Sequence, residues 1–200
     1  MWVRANHASG VSDIDAAVKA LGEKVLPVCR EQKGFKGITA SANRATGALG
    51  VLTFWETRED LEASESALAK QRAETMAEAG GTVTVQVLEE VGGAVSAPPS
   101  LGTSRVMVRS IKMDPSKVDE QLAHFNDVVL PDMKGLPGFQ MCRLMIDRKT
   151  GAGTAGVVVA DADSASAIAS HDAEMREGAR AQGVELGEVD VRELVFSHMQ

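Results

Sequence analysis

Residues 26–35 read LPVCREQKGF, and residues 130–139 read LPDMKGLPGF. Each begins with Leu-Pro and closes with Gly-Phe at one spacing, 104 residues apart. Outward from that pair, the same shift carries Arg44-x-Thr46-Gly47 onto Arg148-x-Thr150-Gly151. It also carries Val85-x-Val87-x-Glu89-x-Val91 onto Val189-x-Val191-x-Glu193-x-Val195. Between these landmarks the shift is 106, matching Gly50-Val51 to Gly156-Val157 and Ala63-Ser64 to Ala169-Ser170, which predicts two extra residues in the second copy's central turn. Matches in one order over most of the chain mean two copies of one unit. The small-residue stretch GGAVSAPPSLGT, residues 92–103, reads as the join. The expected organisation is a repeat over 1–92, a linker over 93–103 and a repeat over 104–200.

Each copy reads strand, helix, strand, strand, helix, strand. The first helix carries Ile14, Val18, Leu21 and Val25 in one copy and Val118, Leu122, Phe125 and Val129 in the other, stepping by 4, 3 and 4. That is the stripe of a helix with one buried face. Ser12 and Asp114-Pro115 supply expected caps. The second helix follows Thr57 or Asp163, with Leu61, Leu68 and Met76 or Ile168, Met175 and Ala179 inward. Such a βαββαβ unit is a ferredoxin-like α+β fold with both helices on one sheet face. The other face still carries apolar residues, since Leu52 and Phe54 alternate with Val51, Thr53 and Trp55. It must be covered. Packing the two repeats sheet to sheet covers it, giving a single-chain pseudo-dimeric α/β barrel. A linker of this length makes the association intramolecular, so the expected unit is a monomeric pseudo-dimer, or a homo-oligomer built on it.

Composition excludes several classes. Lys plus Arg is 21 against 28 for Asp plus Glu, a net charge of −7, which disfavours a nucleic-acid partner. No apolar run reaches membrane-span length and the first residues lack a signal-peptide core, so no membrane association and a cytoplasmic location are expected. Two cysteines, Cys29 and Cys142, make neither a disulfide framework nor a thiolate zinc site. Tyrosine is absent.

Several motif matches dissolve in context. Gly151-Ala152-Gly153-Thr154-Ala155-Gly156 fits G-x-G-x-x-G, but a strand follows it where a dinucleotide site needs a helix. Asp161 and Asp163 begin an EF-hand-like spacing that Ala165 breaks. Ser170-His171-Asp172 are consecutive on a helix and point about 100° apart, so they make no triad. His7, His124, His171 and His198 form no metal-spaced pair. No cofactor or metal is expected.

The element order, Lys33-Gly34-Phe35, Leu136-Pro137-Gly138-Phe139 and Phe54-Trp55-Glu56-Thr57 together resemble the dimeric α/β-barrel superfamily, in particular antibiotic-biosynthesis-monooxygenase (ABM)-like domains. Two fused copies would stand in for the usual homodimer. The resemblance implies a ligand held between sheet and helices, with an asparagine near the end of the first strand, here Asn6. Trp2, Arg4 and Asn6 alternate onto one strand face, and a buried amide and guanidinium need partners or a wet cavity. The haem-degrading pattern would place its further tryptophan and histidine at Ser64 and Ala73, so haem chemistry is disfavoured. On a wheel centred on Ile168, His171 lies about 60° to one side and can look into a cleft, where the first copy has Glu65.

The expected function is binding of a small, largely apolar, aromatic or polyketide-like molecule. The resemblance implies a cofactor-independent monooxygenase in which a deprotonated phenol or enol itself reduces O2. Asn6 and His171 are the candidate catalytic residues, and Arg4 and Trp55 the candidate substrate-binding ones. The alternative is a non-catalytic binding or stress-response module. In the repeat alignment Arg4 falls on Val108, Asn6 on Ser110 and Trp55 on Asp161.

Overall fold

The computed structural model describes residues 1–200. The chain forms two compact units, Met1–Val87 with Leu194–Gln200, and Leu88–Glu193.

The first unit runs β1 (Trp2–Ser9), α1 (Ile14–Ala20), a π-helical stretch (Leu21–Val25), α2 (Leu26–Arg30), β2 (Phe35–Asn43) and β3 (Ala48–Trp55). It continues with α3 (Arg58–Ala63), α4 (Glu65–Ala79) and residues 82–87 of β4 (Thr82–Val95). Its strands lie in the order β4-β1-β3-β2, the ferredoxin-like order, and the C-terminal strand β9 (Asp190–Met199) adds residues 194–199 beside β2. The π-helical stretch has a local cause. Pro27 has no N–H to offer the preceding turn and its ring crowds the carbonyl there, so the helix widens just before it. Asp13 caps α1 by accepting from the Ala16 N–H at 2.8 Å. Ser12, the expected cap, instead donates to the Ala79 carbonyl at 3.0 Å and ties down the end of α4. The expected stripe is buried at Ile14, Leu21 and Val25, packed with Ile38, Leu49 and Trp55.

The second unit repeats this plan with β5 (Arg105–Met113), α5 (Val118–His124), a second π-helical stretch (Phe125–Val129) before Pro131, α6 (Leu130–Lys134), β6 (Phe139–Asp147) and β7 (Ala152–Val159). Then come α7 (Ala162–Ala169), α8 (Asp172–Ala181), β8 (Val184–Leu186) and the first residues of β9. Residues 89–95 of β4 pair with β6 in this unit. So residues 92–95, read from sequence as the start of a linker, are strand. Their glycines serve close backbone approach: a Cβ on Gly93 would stand 2.5 Å from the Cys142 carbonyl oxygen, beside a bulge in the ladder.

The ladders correct the repeat alignment. Both hairpins have the same length, Asn43 opposite Ala48 and Asp147 opposite Ala152, and Phe35 and Phe139 open opposite Trp55 and Val159. The central turn holds no insertion. The two extra residues lie in α7, eight residues long against six for α3, and the 106 shift applies from Ser64 and Ser170, each donating to the carbonyl three residues back at 2.7 Å. Val159 therefore takes the place of Trp55. Asp161 instead caps α7 as Thr57 caps α3. In the first strand Arg4 lies opposite Thr53 and Met107 opposite Val157, while Asn6 lies opposite Val51 and Arg109 opposite Ala155. The counterpart of Arg4 is Met107 and that of Asn6 is Arg109, because a one-residue slip in a strand moves every side chain to the other face.

Candidate functional site

Strand alternation turns Arg4 and Asn6 of β1 toward the helices of the first unit. Arg4 is only 2% exposed, so every N–H needs a partner. The break between α3 and α4 at Ser64 provides them. A helix end leaves carbonyls without an intrahelical donor. The Leu61 carbonyl accepts from Arg4 Nη2 at 2.6 Å and from the Ser64 hydroxyl at 2.7 Å. Arg4 Nη1 donates to Ser64 Oγ at 3.0 Å, and Nε sits 3.0 Å from Glu65 Oε2. Trp55 lies under the guanidinium, its ring centroid 5.8 Å away, and its indole N–H donates to Thr53 Oγ1 at 3.0 Å. Burial draws the Arg4 pKa down from its ordinary value, Glu65 opposes that and neighbouring Arg72 adds to it. Burial also pushes the nearby Cys29 thiol up to about 12, so it is no nucleophile at neutral pH.

The other oxygen of Glu65 takes Arg72 of α4. Arg72 Nη1 reaches Asn6 Oδ1 at 3.4 Å, and Asn6 Nδ2 donates to the Val51 carbonyl at 3.1 Å. Beside this chain of groups is a cavity of about 60 Å³. Its polar lining is Arg4, Asn6, Thr53, Arg72 and Thr75, and its walls are aliphatic, among them Leu21 and Val25 from the π-helical stretch, Leu49, Leu68 and Met76. Arg4 and Asn6 thus meet at one cavity. Trp55, fully buried, lies beneath Arg4 and is not part of the lining.

His171 does not join them. It belongs to the second unit, its side chain is 69% exposed, and its Nδ1 is 3.4 Å from Glu174 of the same segment. The wheel placed it wrongly because the helix is not continuous: α7 ends at Ala169 and His171 leads into α8 with non-helical dihedrals. Ser64, one of the two haem-pattern positions, is held by Arg4 and offers no iron ligand. No group of three or more His, Cys, Asp or Glu side chains stands close enough to hold a metal ion.

Sequence reading missed Arg72, Thr53 and Thr75. The signal for Arg72 was present, since it stands four residues after Leu68 and four before Met76, inside the inward stripe. A charge there has to be paired or wet.

The second unit builds a different cluster. Arg109 pairs with Asp172, and Arg176 Nε lies 3.0 Å from the other oxygen of that carboxylate. Met107, at the place of Arg4, packs with Val159, Ala165 and Ile168.

Comparison with known proteins bears on the fold. No family model matches the chain. An uncharacterised protein of Mycobacterium tuberculosis is 26% identical over 138 residues, 69% of this chain, which spans 61% of that protein's length. A second one is 25% identical over 191 residues, covering 94% of this chain and 80% of the relative. Among solved structures, a "putative monooxygenase" of Lactobacillus acidophilus superposes with a TM-score of 0.69 at 12% identity, covering 100% of this chain and 96% of that one. An "anthrone oxidase-like protein" superposes at 0.68 with 15% identity, covering 99% and 92%. A Listeria monocytogenes ferredoxin-fold protein related to antibiotic biosynthesis monooxygenases gives 0.51 at 9% identity, covering 97% and 95%. No helix is long and apolar enough to cross a membrane. These likenesses show a shared fold, two ferredoxin-like units in tandem as in dimeric α/β-barrel proteins.

Proposed function

We propose that the first unit binds a small, largely apolar molecule in the cavity beside Asn6 and Arg72, and that it oxygenates an enolisable one without a cofactor. The observation that carries this reading is the lining itself, an almost wholly apolar surface of aliphatic side chains with Asn6, Arg72 and Thr53 among the residues that border it. In such a reaction the enolate gives its electrons to O2, and the carbon peroxide then loses water to leave a carbonyl. One O2 is consumed and one water released for each CH2 converted to C=O. Arg72 would steady the enolate oxygen, and Asn6 would hold Arg72 in place. Size limits the substrate. A cavity of roughly 150 Å³ admits benzene, so the present 60 Å³, open on one side, takes a polycyclic molecule only if part of it protrudes or the unit opens.

The test is oxygen uptake with anthrone- and quinol-like compounds and with smaller enols, wild type against Asn6→Ala. Turnover reduced about tenfold or more in the variant is the expected result. The second reading, binding without chemistry, has its own support. No histidine, carboxylate or thiol lines the cavity, so the protein brings no obvious base to it. Ligand binding with no uptake on any compound would favour it.

A further inference from the structure

The polar residues that border the cavity are already bonded to other groups. Arg4 is held by Ser64, the Leu61 carbonyl and Glu65. Arg72 is held by Glu65 and Asn6, Asn6 donates to the Val51 carbonyl, and the Thr75 hydroxyl donates to the Gln71 carbonyl at 2.8 Å. What the cavity offers a ligand is therefore apolar contact. Its lining is graded in depth: Leu21, Leu49 and Leu68 are almost wholly buried and form the inner wall, whereas Asn6, Arg72 and Val83 are partly exposed and mark the open side. No aromatic residue lines it, so there is no ring face on which an aromatic ligand would stack. Size narrows the ligand further. Roughly 150 Å³ for the six carbons of benzene is about 25 Å³ per carbon, so 60 Å³ holds about two or three.

We infer that the ligand is an enolisable carbonyl compound carrying an unbranched alkyl arm, the arm seated on Leu21, Leu49 and Leu68 and the carbonyl head left at the open side near Asn6 and Arg72. This rests on the reading that the cavity binds an enolisable molecule, and it names that molecule's class. An alkyl arm meets an aliphatic wall on every side and brings no polar atom into a surface whose own polar groups are already paired. A six-membered ring exceeds the space, and a polar tail would lose its water without gaining a partner.

The experiment titrates the full chain with acetylacetone and with homologues in which one terminal methyl is replaced by ethyl, propyl, butyl, pentyl or phenyl, following leucine methyl and Asn6 side-chain amide NMR signals. The expected result is an affinity that rises about fourfold for each CH2 added up to propyl and then levels off, with the phenyl compound weaker than the propyl one. Leu49→Phe, which fills the inner wall, should abolish the gain from the longer arms, and Leu49→Ala should move the plateau to a longer arm. An affinity independent of arm length, a rise that continues undiminished through pentyl, or a phenyl compound bound tighter than the propyl one overturns the alkyl assignment while leaving a ligand site at the cavity. Binding of none of the series, with the Asn6 signal unmoved, overturns both readings. The series in the wild type needs no variant, so a substitution that impairs folding does not blunt the test.

Discussion

Arg4 and Met107 occupy one position of one fold, and each is almost wholly buried. The first is a charge inside a polar network, the second a thioether in a small apolar cluster with Val159, Ala165 and Ile168. The difference lies in the neighbouring helix. In the first unit the α3–α4 junction aims Ser64, the Leu61 carbonyl and Glu65 at the strand. In the second, α7 is two residues longer, and the corresponding Ser170 is turned to solvent. The cluster there forms two residues further along the strand, at Arg109 and Asp172. A buried charge is thus tolerated where a helix end supplies acceptors, and the two units place that helix end differently.

The largest expected effect comes from forcing the first arrangement on the second unit. Met107→Arg would bury a guanidinium without acceptors and should destabilise by about 3 kcal/mol or more in denaturant unfolding. The reverse change is milder. Arg4→Met keeps the apolar volume and leaves Ser64 bonded to Leu61, so it should cost about 1–2 kcal/mol. Equal costs for the two would break the comparison.

The paired serines sharpen it further. Ser64→Ala removes a buried partner of Arg4 and should cost about 1–2 kcal/mol, whereas Ser170→Ala on the surface should stay within about 0.5 kcal/mol. A Ser170→Ala loss as large as that of Ser64→Ala would mean that the longer helix is not what separates the units.

The smallest effect is alkaline. Burial raises the pKa of both cysteine thiols, Cys29 to about 12. Neither should react with a thiol reagent at pH 8 until the chain unfolds. Between the ordinary cysteine value and about 12, the folded chain keeps on Cys29 a proton that the unfolded chain has released. Stability from this group therefore falls as pH rises through that window, and Cys29→Ala should flatten the fall.

Much of the fold was legible because it is periodic and written twice. The helical stripes, the Leu-Pro to Gly-Phe segments and the valine strands are patterns of local geometry, and each copy checked the other. The linker was misread in part, since Gly92 and Gly93 look like flexible chain yet permit a tight ladder with β6. Of the site, Arg4 and Asn6 were readable from strand alternation, and Arg72 from its place inside an apolar stripe. His171 was misplaced because a wheel assumes a continuous helix.

Sequence alone determined that this chain holds two βαββαβ units, since period and repeat are properties of the string. Only the tertiary structure decided which residues share a cavity. The strand register, the break at Ser64 and the two residues added to α7 fix where side chains meet, and a shift of one residue in any of them turns a buried arginine into a surface one.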